Sequence, residues 1–92
     1  MISNDIKKQV LSEDFFRKCQ NNLNWIDISA YQKLSENFIR EFHNKVIWNC
    51  ISQSQNLSED FIIEFANKIN FNQLIYNKNT LKEIKDFCRI FI

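Results

Sequence analysis

The chain of 92 residues contains no glycine and no proline. Tight hairpins, phosphate-binding loops and nucleophile elbows lean on those two residues for their backbone geometry, so their absence argues against all three. Helices joined by Asn and Ser turns are favoured instead. Cysteine is scarce: Cys19, Cys50 and Cys88 are odd in number, unevenly spaced and include no C-x-x-C pair. This fits a reduced interior, cytoplasmic or that of a host cell if the chain is viral, better than a secreted disulfide scaffold, and it speaks against zinc. His43 is the only histidine, which excludes a His-based triad or a multi-histidine metal cluster. No run approaches the roughly 18 apolar residues of a membrane span, and Met1 to Val10 lack a signal-like apolar stretch. A membrane partner is not expected.

Charge of one sign is also missing. Twelve Lys and Arg stand against eleven Asp and Glu, a net charge of +1, so neither a long-range pull on nucleic acid nor an acidic imitation of it is expected. What the chain does have is bulk for a core: 45% apolar residues, with nine Phe and two Trp. Its length suits one domain, which at this size buries about 60 to 65% of its unfolded surface and depends on good packing. Asn, Ile and Lys are abundant, a bias that AT-rich coding produces and that hints at a low-GC genome or a virus.

Internal self-similarity reveals the organisation. Leu11-Ser12-Glu13-Asp14-Phe15, Leu34-Ser35-Glu36-Asn37-Phe38 and Leu57-Ser58-Glu59-Asp60-Phe61 begin 23 residues apart. The same spacing aligns Phe16, Ile39 and Ile62; Cys19, Phe42 and Phe65; Leu23, Val46 and Ile69; Trp25, Trp48 and Phe71; and Ile28, Ile51 and Leu74. In each unit the Ser is a suitable helix N-cap, followed by acidic or polar residues that the helix dipole favours. The apolar stripe Phe15, Phe16, Cys19 and Leu23 marks one helical face. Asn21-Asn22 and Asn67-Lys68 break that helix, and Asn24 or Asn70 caps a second, short one carrying Trp25 and Ile28 or their equivalents.

The expectation is an all-α, single-domain fold: helical hairpins of 23 residues stacked into a small solenoid, because one hairpin cannot bury its stripe alone. The units run 11–33, 34–56 and 57–79, after a partial unit at 1–10. Residues 80–92 are expected to form one longer helix that closes the stack. The strings Leu34 to Phe42 and Leu57 to Phe65, with Trp25, Ile28-Ser29 and Tyr31-Gln32, resemble a short repeat found in arrays in proteins of large DNA viruses and phages. The resemblance covers about residues 11 to 76 and implies a binding scaffold. It carries over no functional residue, and the second helix drifts, with Phe71 in place of Trp and Ser54 and Asn77 in place of Tyr31.

Weighed against this repeat, the candidate chemistry thins out. Glu13-Asp14, Glu36 and Glu59-Asp60 read as helix starts rather than paired catalytic carboxylates. Cys19 and Cys88 share a column with Phe42 and Phe65 and read as core residues. His43, with Gln20 and Ala66, reads as solvated surface; Cys50, with Asp27 and Gln73, reads as a plain surface thiol, with reaction or cross-linking as the alternative. Catalytic, cofactor-binding and metal-binding residues are therefore expected to be none.

Function is better sought in departures from the repeat, since packing accounts for the shared columns. Ile26, Ile47, Ile63, Ile75 and Tyr76 are apolar where sister units carry polar residues, as Asn49 and Asn72 do in the column of Ile26. Exposed, they would form a partner surface together with the apolar C-terminal residues Ile90, Phe91 and Ile92. The leading expectation is a non-enzymatic protein-protein interaction module, a viral or phage modulator or inhibitor of a host or defence protein. Two alternatives are carried beside it. One is nucleic-acid binding through Arg17, Lys18 and other scattered basic residues; the other is self-assembly, including a homodimer through the C-terminal helix.

Overall fold

A computed structural model describes residues 11–80, 82 and 84. Among these the chain forms six short helices and no strand: α1 (Glu13–Lys18), α2 (Trp25–Tyr31), α3 (Glu36–Glu41), α4 (Trp48–Ser54), α5 (Glu59–Glu64) and α6 (Phe71–Leu74). The expected closing helix, with Cys88, Ile90, Phe91 and Ile92, lies outside the described residues apart from Thr80, Lys82 and Ile84.

Each helix begins where its sequence says it should. Ser12, Ser35 and Ser58 adopt extended backbone, and their hydroxyls accept from the N–H groups of Phe15, Phe38 and Phe61. Asn24 and Asn70 cap α2 and α6 through the N–H groups of Asp27 and Gln73. At the start of α4 that column holds Ile47, which offers no side-chain cap.

The two periodic faces meet in one core. Phe16, Ile39, Ile62, Ile28, Ile51 and Leu74 are almost fully buried, as are Phe38 and Phe61. Phe15, whose unit has no described neighbour before it, is 37% exposed in the same column. The reason is visible in the later units. Phe38 lies 5.9 Å from Phe16 and stacks 6.2 Å from Trp25 of the preceding unit, while Phe61 stacks 6.2 Å from Trp48. Each Trp thus sits beneath the aromatic pair of the next unit, 5.3 Å from Phe42 or 5.2 Å from Phe65. Its indole N–H is satisfied by a carbonyl of its own unit, Gln20 for Trp25 and His43 for Trp48.

Helix α2 packs on α4, and α4 on α6. Three polar contacts recur between units in the same register. Glu13 accepts from both the N–H and the hydroxyl of Ser35, at 2.7 and 2.8 Å, and Glu36 treats Ser58 the same way. Arg17 grips Glu41 through Nε at 2.9 and 3.1 Å, as Arg40 grips Glu64, each guanidinium lying over the next unit's Phe at 5.5 or 5.3 Å. These hydrogen bonds to carboxylates, Glu41 foremost for Arg17, hold both guanidinium pKa values above their ordinary range. The Ser29 hydroxyl receives the N–H of Ile47, and the Ser52 hydroxyl that of Asn70.

The fourth contact is buried. Gln55 donates its amide to the carbonyls of Ser29 and Gln32 at 2.9 and 2.6 Å, while its oxygen accepts the N–H of Leu34 at 3.0 Å. The Gln32 oxygen likewise accepts the N–H of Leu11. One repeat later Lys78 stands in this column, and an ammonium cannot accept. Two residues divide the work there. Asn77 donates to the carbonyls of Ser52 and Gln55 at 2.8 and 2.7 Å, and the Thr80 hydroxyl accepts the N–H of Leu57 at 3.3 Å.

Replacing Gln55 with Leu strands two carbonyls and one N–H in the interior. Gln55→Leu is expected to lower stability by about 3 kcal/mol, at about 1 kcal/mol or more for each stranded group, whereas Gln53→Ala at an exposed position should change it little. Urea unfolding monitored by circular dichroism distinguishes them; equal midpoints for the two variants would contradict the assignment.

Candidate functional site

The apolar departures from the repeat separate into two groups once burial is known. Ile26, Ile63 and Tyr76 are 57, 55 and 72% exposed. Ile47 and Ile75 are half-buried. Ile26 lies on α2, where the sister positions Asn49 and Asn72 are polar and exposed. Ile63 replaces the Arg of the Arg17 and Arg40 column, and the carboxylate column of Glu41 and Glu64 holds Phe87 one repeat later in the sequence. Ile47 keeps its N–H on the Ser29 hydroxyl. Ile75 replaces the serine whose hydroxyl receives that N–H in the first two units. Ile90, Phe91 and Ile92 lie outside the described residues, so the proposed C-terminal surface gains no geometry.

A groove of about 540 Å³ opens at the C-terminal ends of α2 and α4 and beside the segment that follows α6. Tyr31, Lys33, Gln53, Asn56, Tyr76 and Lys78 are among its exposed wall residues. Its floor includes the buried amides of Gln32 and Gln55. Tyr31, three residues beyond Ile28 on α2, is 57% exposed. It ends α2 and projects into the groove rather than the core. Sequence comparison alone missed this site because its columns change residue type from unit to unit: Tyr31 aligns with Ser54, and Tyr76 with Gln53.

The nucleophile and metal candidates resolve differently. Among the described residues, no three His, Cys, Asp or Glu side chains gather where they could hold a metal ion. None of the described helices is long and apolar enough to cross a membrane. Cys19 is half-buried and unpaired. Cys50 is half-buried too, and burial first, then the negative charge of Asp27, pushes its thiol pKa up. That disfavours the thiolate, the form that reacts. His43 departs from the solvated position expected of it: it is half-buried with its ring 6.5 Å from that of Phe65, and its Nδ1 is buried with no hydrogen-bond partner. Gln20 in the same column is half-buried as well, but its amide donates to the carbonyl of Arg17, whereas the His43 Nδ1 has no partner.

Two outcomes follow for these side chains. Cys50 in the folded protein should alkylate with iodoacetamide more slowly than after unfolding in urea, and its rate should climb only at pH values above the ordinary thiol range; peptide mapping by mass spectrometry reads this, and equal rates would refute it. His43→Leu should raise the urea midpoint, by about 1 kcal/mol in stability, because it removes a buried polar atom that lacks a partner. A lowered midpoint would show the imidazole to be better satisfied than its surroundings indicate. No protein-family model matches the chain, and neither a curated protein nor a solved structure is detectably similar to it.

Proposed function

We propose that the chain is a non-enzymatic protein-protein interaction module, a small solenoid of helical hairpins that acts by docking a folded partner. The observation that carries this reading is the exposure of Ile26, Ile63 and Tyr76, three large apolar side chains that the core does not use. Covering such groups with a partner removes apolar surface from water and so favours docking. The stacking itself is supported by inter-unit contacts that recur at a fixed register and by an elongated body of 42 × 22 × 16 Å. Repeat scaffolds of this kind build binding surfaces by varying residues that the shared interfaces leave free. The resemblance of Leu34 to Phe42 and Leu57 to Phe65 to a repeat of large DNA viruses and phages motivates the finer form of the proposal, a modulator or inhibitor of a host or defence protein working by steric occlusion inside the cell.

Affinity capture from the source cell is expected to recover a defined protein with the native chain and to lose it with the variant Ile26→Asp, Ile63→Asp, Tyr76→Asp. The melting temperature of that variant should stay close to the native value, because all three positions are exposed. Failure to recover any protein, with substrate turnover detected instead, would sink the proposal.

A further inference from the structure

The groove at the C-terminal ends of α2 and α4 has a charge pattern of its own. Among the described residues it is lined by Lys33 and Lys78 and by no carboxylate. Carboxylates lie elsewhere. Of the eight in residues 11–80, seven (Glu13, Asp14, Glu36, Glu41, Glu59, Asp60 and Glu64) are on α1, α3 and α5, leaving Asp27 alone on α2. Five of those seven are already engaged with Ser35, Ser58, Arg17 or Arg40. A chain with almost balanced charge therefore has one face that is locally cationic.

Helix C-termini ordinarily present unsatisfied carbonyls, which would repel an anion. Here side-chain amides have taken several of them. Gln55 covers the carbonyls of Ser29 and Gln32, Asn77 those of Ser52 and Gln55, and Asn79 that of Ser54. The same substitution that divides the glutamine's work between Asn77 and Thr80 leaves Lys78 on the wall, exposed, in a column that is buried as Gln32 and Gln55. Tyr31 and Tyr76 add apolar faces with hydroxyl tips, and Gln53 and Asn56 add amides able to pair with both the N–H and the C=O of an extended backbone.

We infer that this groove binds an acidic, extended peptide segment of the partner protein, its carboxylates on Lys33 and Lys78 and its side chains against Tyr31 and Tyr76. The inference rests on the reading of the chain as an interaction module and adds the partner's chemistry. Two lysines supply too few phosphate contacts for tight binding of nucleic acid, whose affinity grows with the number of phosphates neutralised. They suit a short acidic peptide, for which local complementarity sets selectivity.

Fluorescence anisotropy with the full chain tests it. The probes are a labelled peptide alternating glutamate and tyrosine, its counterpart with lysine for glutamate, and an oligothymidylate of equal length. The acidic peptide should bind about tenfold or more tighter than either of the others, and more weakly as salt rises. Lys33→Glu with Lys78→Glu should cost it about tenfold or more in affinity while Lys68→Glu, outside the groove, leaves binding unchanged; circular dichroism confirms that each variant is folded. Tighter binding of the oligothymidylate, equal binding of the two peptides, indifference to the charge reversal, or no binding at all would overturn the inference. If the charge-reversed protein still captures its cellular partner while an Ile26→Asp, Ile63→Asp variant, altered only outside the groove, does not, the interaction module stands and this groove is no part of it.

Discussion

One side-chain amide sets the spacing of this protein. Gln55 reaches back into the preceding unit to take two carbonyls at the end of α2 and, with its oxygen, holds the first N–H of the segment that leads into α3. A primary amide is suited to this because it donates and accepts at once over a fixed geometry, and in a buried site each of those bonds is costly to leave unmade. Hydrophobic contact alone is nondirectional and would tolerate sliding of one hairpin on the next. The amide does not: moved by one residue, it would face the wrong backbone groups. Burial of the aromatic and aliphatic columns drives association of the units, and the glutamine fixes their register.

The outer contacts reinforce that register without bearing the same energy. Glu13 on Ser35 and Arg17 on Glu41 are exposed, as are their equivalents one unit later, and exposed ion pairs contribute little to stability. Their value is geometric. The Ser35 hydroxyl accepts from Phe38 in its own helix and donates to Glu13 of the unit before, so helix capping and stacking share one atom. The guanidinium of Arg17 sits over Phe38 while pairing Glu41, which ties the rim to the aromatic core.

Much of the helical framework was legible from the residues because it obeys periodicity. The columns through Phe16, Ile28 and their equivalents, and the Ser and Asn caps, announce themselves by spacing and by residue type. Glu13 and Glu36 were legible only as helix-start charges, since their reach to the next unit's serine depends on how the units stack. Gln32 and Gln55 were harder still. Glutamine is usually a surface residue, and its partners here are backbone groups that leave no trace in a sequence. His43 misled because its column looks permissive in Gln20 and Ala66, yet the ring of Phe65 covers it. The groove was invisible for a related reason: the columns that line it change residue type from unit to unit.

The third unit shows how a repeat acquires individuality. Replacing the buried glutamine by Lys78 would by itself strand the carbonyls of Ser52 and Gln55 and the N–H of Leu57. Asn77, shorter by one methylene and placed one residue earlier, recovers the carbonyls, and Thr80 recovers the N–H. Because the backbone remains satisfied, the column position is released from packing and its side chain can face solvent. Ile63 marks a second release in the same unit, where the arginine of the Arg17 and Arg40 column is gone. A scaffold that satisfies its own backbone by two alternative residue sets can change its surface without losing its register. The positions freed in this way, Lys78 and Ile63 with the neighbouring Tyr76, are among those whose side chains the core does not explain.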